Sequence, residues 1–379
     1  MEIYVVKEGD SVDRIADSYG ISAASIIFNN QLVYPYPLAV GQALLLSVGN
    51  ASSGSYPAFV NGYAYPYIQQ EVLDDTLPYL TSLSVFSYGF TTEGDILPPQ
   101  IDDTFMIRSA LSEGVMPILT LTPLGPDGNF NNLLVSAVVN NEEAKSNLLS
   151  NLLTTLTEKD FQGVNIDFEY ILPEDRVPFA DFVADTREFL SPYGYPVSVA
   201  LVPKTSDSQS GLLYEGKDYR LLGEAADSVL LMTYEWGYTY GPPMAVAPIN
   251  KVREVVDYAV TRIDPSKIDL GIPNYGYDWT LPYVRGSSRA RTISNLEAVQ
   301  IAIDAGVAIQ FDETAMSPHF QYEKDGLIHE VWFEDVRSYQ EKFSLLPIYS
   351  LRGMGYWQIM RFFRPNWLLL QDTFQIIKD

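Results

Sequence analysis

Eight short apolar runs, each of strand length, recur between residues 58 and 360 of this chain, and helical stretches separate them. The runs lie at 58–65, 83–90, 116–123, 163–170, 196–203, 228–236, 268–276 and 354–360. Strands that alternate with helices pair in parallel through crossovers, and eight such units in about 320 residues fit a closed α/β fold, the (β/α)8 or TIM barrel. A doubly wound sheet is the alternative, but it needs edge strands, and none of these runs has that character.

The longest gap between predicted strands separates the seventh from the eighth. We expect a small α+β insertion there, over about residues 283–345, with a helix at 294–306, the strand-like run AIQFDE and a hairpin around residues 324–326. The clearest helices elsewhere are predicted at 142–159, 174–190, 251–262 and 366–377. Residues 57–379 are therefore expected to form one barrel domain that carries this insertion.

The first 47 residues predict a separate small domain. Residues 3–6 have the composition of a strand, helical spacing follows the capping residues Ser11 and Ser22, and residues 43–46 have the composition of a second strand. The predicted order is strand, helix, helix, strand. Residues 48–56 are small and polar, and they predict a flexible linker that tethers the two domains.

Composition excludes several kinds of chemistry. The chain has no cysteine, so it has no thiol nucleophile, disulfide or cysteine-bound metal. Its two histidines, His319 and His329, are too few for a three-histidine zinc site. Neither a G-x-S-x-G motif nor a phosphate-binding G-x-x-x-x-G-K-[ST] motif occurs. We therefore expect no cofactor and no metal, and carboxylates remain as the candidates for catalysis.

The charge of the chain limits its partners. The 24 Lys and Arg residues against 48 Asp and Glu residues give a formal net charge of −24, which opposes binding to nucleic-acid phosphates or to an anionic membrane. No apolar run approaches the length of a membrane span. The start, MEIYVVKEGD, lacks the regions of a secretory signal peptide. These features favour a soluble protein, which we expect to be a monomer.

The run GVNIDFEY, residues 163–170, places three polar side chains on one face of a predicted barrel strand. Asn165, Asp167 and Glu169 alternate with apolar residues, so they are expected to point into the barrel. Two carboxyl groups about 7 Å apart in a poorly solvated place hinder each other's ionisation, and the strand has no Lys or Arg to pair with them. Glu169 is the last inward residue at the carboxyl end, where barrel active sites lie. It can therefore stay protonated as a general acid.

This motif, GVNIDFE, resembles the fourth-strand signature of glycoside hydrolase family 18, D-G-x-D-x-D-x-E. The resemblance implies that Glu169 is the proton donor and that Asp167 stabilises the reacting acetamido group. Two positions depart from the signature, because Gln162 stands in place of its first Asp and Asn165 in place of its inner Asp. Asn165 is expected to hydrogen-bond Asp167, but it cannot exchange a proton with it.

Other strand ends extend the resemblance. LMTYEWGY is similar to the family's sixth-strand M-x-Y-D motif, which implies a catalytic role for Tyr234. GYWQ is similar to the family's eighth strand, which implies that Trp357 binds the sugar. Aromatic rings at strand ends can stack on sugar rings. The substrate-binding residues expected on these grounds are Asn165, Met232, Glu235, Trp236, Trp357, Tyr63, Tyr88 and Tyr275. The third strand, MPILTLTP, lacks the S-x-G-G of typical chitinases.

The N-terminal segment resembles a LysM module through VVKEGDSVDRIADSYGIS, IIFNNQL and LAVGQALLL. The resemblance implies that two loops bind N-acetylglucosamine glycans. The residues concerned are Gly9, Asp10 and Ser11 in one loop, and Asn30, Gln31 and Leu32 in the other. Together with MTYEWGY and YGPPMAVAP, the module makes the chain look most similar to the spore cortex-lytic and germination branch of family 18.

The resemblance implies hydrolysis of β-1,4 bonds at N-acetylglucosamine in peptidoglycan, above all in spore cortex, by substrate-assisted retaining catalysis. It also implies a location in the spore coat, the cortex or the cell wall. The sequence leaves open a chitinase that shares the chemistry, and a peptidoglycan-binding protein that has lost turnover.

Overall fold

The structure is a computed structural model that describes residues 1–49, 54–125, 128 and 130–378. Its strands are β1 (Glu2–Val5), β2 (Ala43–Leu46), β3 (Tyr56–Ala64), β4 (Ser82–Phe90), β5 (Ile96–Leu97), β6 (Met116–Leu121), β7 (Val164–Ile166), β8 (Val197–Leu201), β9 (Ser228–Leu231), β10 (Ile268–Pro273), β11 (Gly276–Thr280), β12 (Arg291–Ile293), β13 (Gln310–Asp312), β14 (Ser317–Lys324), β15 (Leu327–Trp332), β16 (Gly353–Trp357) and β17 (Phe374–Ile376). Its helices are α1 (Val12–Tyr19), α2 (Ala23–Asn29), α3 (Gln70–Thr76), α4 (Thr104–Ser112), α5 (Asn132–Val139), α6 (Glu142–Lys159), α7 (Arg176–Leu190), α8 (Tyr219–Ala225), α9 (Ile249–Ala259), α10 (Asn295–Ala305), α11 (Val336–Tyr349) and α12 (Arg364–Thr373).

Eight parallel strands close the central barrel. Their order is β3, β4, β6, β7, β8, β9, β10 and β16, and β16 pairs again with β3. The closed barrel confirms the predicted (β/α)8 fold. All eight strands run the same way, so their carboxyl ends meet at one mouth. Among the described residues, no helix is both long and apolar enough to cross a membrane.

The apolar face of β7 and of the residues after it lies under the helix layer. Phe168 is fully buried and stacks with Phe179 and Phe182 of α7, with ring centroids 5.6 and 5.7 Å apart. Burial of three aromatic rings contributes several kcal/mol by roughly 25 cal/mol per Å² of apolar area. This packing fixes which face of the strand points outward, and it therefore turns the alternate residues toward the barrel interior.

The C-terminal helix is shorter than predicted. The sequence pattern predicts a helix over 366–377, but α12 ends at Thr373 and the chain continues as β17, which pairs in parallel with the start of β3. Two contacts favour the strand, because Phe374 packs edge-on against Tyr56 at 6.2 Å and the Ile377 amide donates to the Ala58 carbonyl at 3.0 Å. Pairing with an open strand edge overrides the local helical pattern.

The insertion before the last barrel strand contains an antiparallel sheet in the order β12, β11, β15, β14 and β13. The predicted hairpin is present, and β14 and β15 pair from His319 opposite Trp332 to Lys324 opposite Leu327. The sheet begins at Gly276, earlier than the predicted start near residue 283. α10 packs on this sheet, whereas α11 packs against α9 and α12 in the barrel's helix layer.

The N-terminal unit is packed against the barrel, which contradicts a freely tethered domain. Leu45 of β2 belongs to the same buried cluster as the barrel core. Hydrogen bonds also join the two units, among them those from Ile309 N to Val40 O at 2.8 Å, from Arg337 Nη2 to Gly41 O at 3.1 Å, and from Arg364 N to Gln31 Oε1 at 2.6 Å. Residues 50–53 of the predicted linker 48–56 lie outside the described residues. The domain limits of 1–47 and 57–379 stay predictions.

Gly41 offers a direct test of this packing. Its φ of +83° is unfavourable for other residues, and a Cβ there would lie 1.9 Å from Ile309 O in the insertion. Gly20 has a φ of +63° but has nothing within 4 Å of its Cβ position. Each change to Ala costs about 1 kcal/mol of backbone strain, so the extra loss in Gly41→Ala reports the lost packing.

We expect Gly41→Ala to lower the free energy of unfolding in urea more than Gly20→Ala does, and to speed proteolysis between residues 48 and 56. Equal losses in the two variants, with equal proteolysis, would show that the N-terminal unit does not dock on the insertion in solution.

Candidate active site

The candidate carboxyl pair lies where β7 ends at the mouth of the barrel. Asp167 is only 6% exposed, and its backbone amide continues the strand ladder by donating to Leu121 O at 2.9 Å. Its Oδ1 atom is buried and has no hydrogen-bond partner among the described residues. Glu169 is half-buried, two residues further toward solvent. The predicted inward alternation therefore places both carboxyl groups along the barrel axis.

The surroundings of the pair favour protonation. Burial and then the charge of Glu169 raise the pKa of Asp167 to about 7, while the Lys217 cation acts in the opposite direction. Burial raises the pKa of Glu169 as well, and Lys217 again lowers it. The two groups interact, so near neutral pH the pair can hold one proton and one negative charge. That is the state a general acid beside a charge-stabilising carboxylate requires.

Asn165 does not bond to Asp167, contrary to the prediction from sequence. Its Oδ1 accepts from Tyr63 Oη at 3.1 Å, and its Nδ2 donates to Ser198 Oγ at 2.9 Å. The reason is register, because Asn165 pairs with Ser198 across β7 and β8 and both side chains point inward at one level. Asn165 therefore links the side chains of Tyr63 and Ser198 inside the barrel, one level below Asp167.

An aromatic wall lies on the side of the mouth opposite β7. Trp357 at the end of β16 meets Tyr63 at 5.8 Å, and it meets Phe86 at 4.9 Å. Met232 packs into the same cluster. The structure thus brings the predicted residues Tyr63, Met232 and Trp357 together, and half-buried Trp357 presents a ring to the cleft. Tyr65, which the sequence reasoning missed, joins the wall at 6.0 Å from Trp357.

Glu235 reaches into the mouth from the end of β9. Its carboxylate accepts hydrogen bonds from the hydroxyl of Tyr275 and from Tyr277 Oη, the latter at 2.9 and 3.2 Å from its two oxygens. Burial raises its pKa and the two tyrosine hydroxyls lower it. Tyr234 beside it is buried, and burial together with nearby negative charge raises the pKa of its hydroxyl. Tyr234 therefore stays a donor across the working pH range.

Tyr88 and Trp236, which were also predicted to bind substrate, lie in different surroundings from each other. Tyr88 points away from the cleft, because its ring packs against Phe161 at 5.7 Å and its hydroxyl donates to Asp103. A register shift in β4 between Val85 and Tyr88 reverses the alternation at that point. Tyr88 is therefore corrected from a cleft residue to a core residue. Trp236 is half-buried, and its backbone amide donates to Val246 O at 3.1 Å, so it belongs to the loop after β9.

A cavity of about 170 Å³ adjoins Glu169 on the side of the loops after β6 and β8. Its lining residues are Pro123, Phe130, Asn131, Asn132, Glu169, Tyr170 and Leu212. Tyr170 and Phe130 expose more than a third of their surface. The cleft therefore continues past Glu169 on the side away from the Trp357 wall. Among the described residues, no cluster of three or more His, Asp or Glu side chains could hold a metal ion.

The two predicted glycan-binding loops of the N-terminal unit differ in their exposure to solvent. In the first loop, Gly9 and Ser11 are exposed, and Asp10 accepts from Tyr4 Oη at 2.7 Å. In the second loop, Asn30 is buried, and its side chain bonds to both backbone groups of Leu45. Asn30 is therefore corrected from a ligand contact to a residue that holds α2 to β2.

Gln31 and Leu32 lie at the junction with the barrel. Both line a cavity of about 280 Å³ between the N-terminal unit and α10, together with Phe363 and Pro365. Arg364 donates its backbone amide to Gln31 Oε1 at 2.6 Å. These two residues face the barrel rather than open solvent, a placement that the sequence of the N-terminal unit alone could not indicate.

Lys217 is a further functional candidate that the sequence reasoning missed. It is fully buried in the loop before α8, and its charge acts on both Asp167 and Glu169. No periodic pattern marks a loop residue. Tyr65, by contrast, continues the alternation of Asn61 and Tyr63 along β3, so that signal was available.

Comparison with known proteins finds two family models that match the chain. The model of the glycosyl hydrolases family 18 matches residues 127–361, and the model of the LysM domain matches residues 4–47. The chain is 37% identical to the cortical fragment-lytic enzyme of Bacillus subtilis (strain 168), over 100% of this chain and 99% of that protein.

Solved structures are similar to the whole chain or to most of it. The crystal structure of the spore cortex-lytic enzyme SleL of Bacillus megaterium QM B1551 superposes with a TM-score of 0.93 at 33% identity, covering 100% of this chain and 99% of that one. A chitinase from Chromobacterium violaceum ATCC 12472 superposes with a TM-score of 0.76 at 25% identity, covering 84% of this chain and 99% of that one. The likeness to SleL includes the N-terminal unit, whereas the likeness to the chitinase leaves part of this chain uncovered.

The raised pKa of Asp167 predicts a cost in stability. The folded protein holds a proton that the unfolded chain has released between about pH 4 and pH 7, so stability falls as the pH rises through that interval. Asp167→Asn removes the group. We expect it to raise the free energy of unfolding by about 1–3 kcal/mol at pH 8 and by little at pH 4.

Urea unfolding of the wild type and the variant at both pH values measures this difference. Asp17→Asn on the exposed surface of α1 is the control for removing one negative charge from an acidic chain. A gain from Asp167→Asn that is equal at both pH values, or equal to that of the control, would contradict the burial cost.

Proposed function

This chain belongs to family 18 of the glycosyl hydrolases and is a glycoside hydrolase, and from that premise we propose how and on what it acts. It hydrolyses β-1,4 bonds at N-acetylglucosamine in peptidoglycan, with spore cortex as the substrate. Glu169 is the general acid and base, and Asp167 and Tyr234 position the 2-acetamido group of the sugar. The observation that carries the proposal is the carboxyl pair Asp167 and Glu169, which shares the barrel mouth with an aromatic wall.

The reaction uses the substrate's own acetamido group as the nucleophile. Glu169 donates its proton to the glycosidic oxygen as the bond to C1 breaks, and the acetamido oxygen attacks C1 from the other face. The resulting oxazolinium ion carries a positive charge, and ionised Asp167 accepts a hydrogen bond from its N–H. Tyr234 donates its hydroxyl to the acetamido oxygen before attack. Glu169 then removes a proton from water, which opens the ring at C1 and restores the acid.

The arrangement of carboxylates supports this route over a covalent enzyme intermediate. A usual retaining glycosidase needs a second carboxylate across the sugar, with free oxygen atoms that face C1. Asp167 lies below Glu169 on the same strand, so it is not across the sugar. Glu235 is the other carboxylate at the mouth, but its oxygens already accept from Tyr275 and Tyr277. We assign Glu235 to sugar binding, together with Tyr275.

The aromatic wall provides the sugar pocket. The C–H faces of a pyranose pack on an aromatic ring while its hydroxyls reach polar groups at the edge. We assign Trp357 as the floor beneath the reacting sugar, with Tyr63 and Met232 beside it. The cavity bounded by Tyr170 receives the leaving part of the glycan.

Two features support spore cortex as the substrate. The chain covers 99% of the length of a cortical fragment-lytic enzyme and of a spore cortex-lytic enzyme, including the N-terminal unit. A LysM module binds glycans that contain N-acetylglucosamine, which is consistent with a place in the cortex or the cell wall. The docked position of this module adds a second, fixed contact for a long glycan strand, through the exposed loop of Gly9 and Ser11.

The substrate is tested by digestion of purified cortex peptidoglycan and of chitin oligosaccharides, with products identified by mass spectrometry. We expect cortex fragments with N-acetylglucosamine at the new reducing end, and turnover on chitin that is at least tenfold lower. Faster turnover on chitin than on cortex would contradict the proposed substrate.

The acid is tested by Glu169→Gln, which keeps the size of the side chain and removes its proton transfer. We expect kcat on cortex fragments to fall by about 10²–10⁴-fold, with binding to insoluble sacculi retained. Glu235→Gln is the matched control, for which we expect mainly a higher KM. A Glu169→Gln variant that keeps more than about a tenth of the wild-type kcat would refute the assignment.

A further inference from the structure

A lysine is buried next to the candidate carboxyl pair. Lys217 has 0% of its surface exposed, and its ammonium lies 5.1 Å from the centroid of the Phe179 ring. The hydrogen bond that the structure gives this ammonium goes to the backbone carbonyl of Ala200, at 3.1 Å. One carbonyl is a poor exchange for the hydration shell of an ammonium ion, since burial of an unpaired cation costs several kcal/mol or more. Something else near it must favour the charged form.

The register of the barrel shows what lies nearby. β7 pairs with β8 so that Ile166 stands opposite Val199, and one residue further along Asp167 stands level with Ala200. The carbonyl that holds Lys217 is therefore on the strand beside Asp167. The Lys217 charge acts on both Asp167 and Glu169, and both carboxylates act back on Lys217.

From this arrangement we propose that Lys217 is a positioning residue that supplies the fixed positive charge of the active site, stabilising the single negative charge that the Asp167 and Glu169 pair carries when it holds one proton. The inference rests on the proposed function, because it assigns roles to those two carboxyl groups. With Lys217 charged, one carboxylate ionised and the other protonated, the three groups sum to zero charge. A neutral buried cluster costs far less to desolvate than a lone carboxylate.

The need for such a charge follows from Asn165. An Asp at that position could exchange a proton with Asp167, but the Asn165 amide cannot, and both of its ends are already engaged by Tyr63 and Ser198. Asp167 Oδ1 is left without a hydrogen-bond partner among the described residues. Its ionised form must therefore be stabilised at a distance, and Lys217 is the cation placed to do so.

Other charged and titratable groups around Lys217 define what a test must separate. Lys204, in the loop after β8, donates to the backbone carbonyls of Lys217 and Tyr214 at 2.7 and 3.2 Å. Asp218 caps α8, and the hydroxyl of Tyr219 donates to Val202 O. Across the mouth, Tyr234 and Glu235 face the carboxyl pair, as does Tyr63 from β3.

Lys204 provides a matched control. It is also a buried lysine of the same loop region, and its ammonium also bonds to backbone carbonyls. Its charge is not among those that act on Asp167 or Glu169. Loss of Lys204 therefore reports the structural part of removing a buried ammonium that holds the Lys217 backbone, while the Lys217 charge itself is kept.

The experiment measures the pH dependence of kcat/KM on soluble cortex fragments for the wild type, Lys217→Met, Lys217→Gln and Lys204→Met. Without the Lys217 cation, both carboxyl groups hold their protons more tightly. The acid limb, which reports the first ionisation of the carboxyl pair, and the alkaline limb, which reports loss of the proton that the pair still holds, should both move to higher pH by roughly one unit. At pH 6, kcat/KM should fall about tenfold.

Lys217→Gln separates charge from hydrogen bonding, because its amide can still donate to Ala200 O. It should shift the profile as Lys217→Met does, whereas Lys204→Met should leave both limbs in place even where it lowers stability. A wild-type profile in Lys217→Gln would overturn the proposal.

A second measurement does not need turnover. The ¹³C resonance of the Asp167 carboxyl, assigned by its absence in Asp167→Asn, should titrate at higher pH in Lys217→Gln than in the wild type. An unchanged titration would overturn the role of Lys217. Cortex turnover that persists in the Glu169→Gln variant would instead refute the proposed function. The two failures are therefore distinguishable.

Discussion

Burial of the Asp167 carboxyl group at the mouth of the barrel is the constraint on which the rest of the site depends. A carboxylate with an unpartnered oxygen is costly in so dry a place. The chain holds it there through the ladder on either side of β7 and through Phe168, which locks the outer face under α7. The cost of burying this charge has a chemical use, because it keeps a proton on the carboxyl pair near neutral pH. Stability is lowered where the chemistry requires it.

The N-terminal unit packs against the barrel domain. Leu45 joins the barrel core, and the absence of a side chain at Gly41 lets the backbone lie close to Ile309 of the insertion. A glycan that contacts both units would meet surfaces at a fixed separation, and binding would lose less conformational freedom than with a flexible tether. Gln31 and Leu32 in the module's second loop line a cavity together with residues of α10. This loop therefore lies at the junction between the two units.

Much of the fold and part of the site could be predicted from the sequence. The period-two pattern of GVNIDFEY placed Asp167 and Glu169 correctly along the barrel axis, since burial of the apolar face fixes the register. Tyr88 was assigned wrongly because the bulge in β4 reverses the alternation before that residue. The partners of Asn165 depend on pairing between strands, and Lys217 comes from a loop without periodicity. Contacts between distant segments are set by tertiary packing, which local patterns do not encode.

The central claim is that the substrate's acetamido group, and not water or a protein carboxylate, attacks the sugar while Glu169 protonates the leaving oxygen. NMR of the first-formed anomer, combined with inhibition by a stable thiazoline analogue of the oxazolinium ion, tests it directly. Two successive inversions at C1 predict a β-anomer product and competitive inhibition by the thiazoline. An α-anomer as the first product would show a single inversion by water, and it would contradict the account even if Glu169 proved essential.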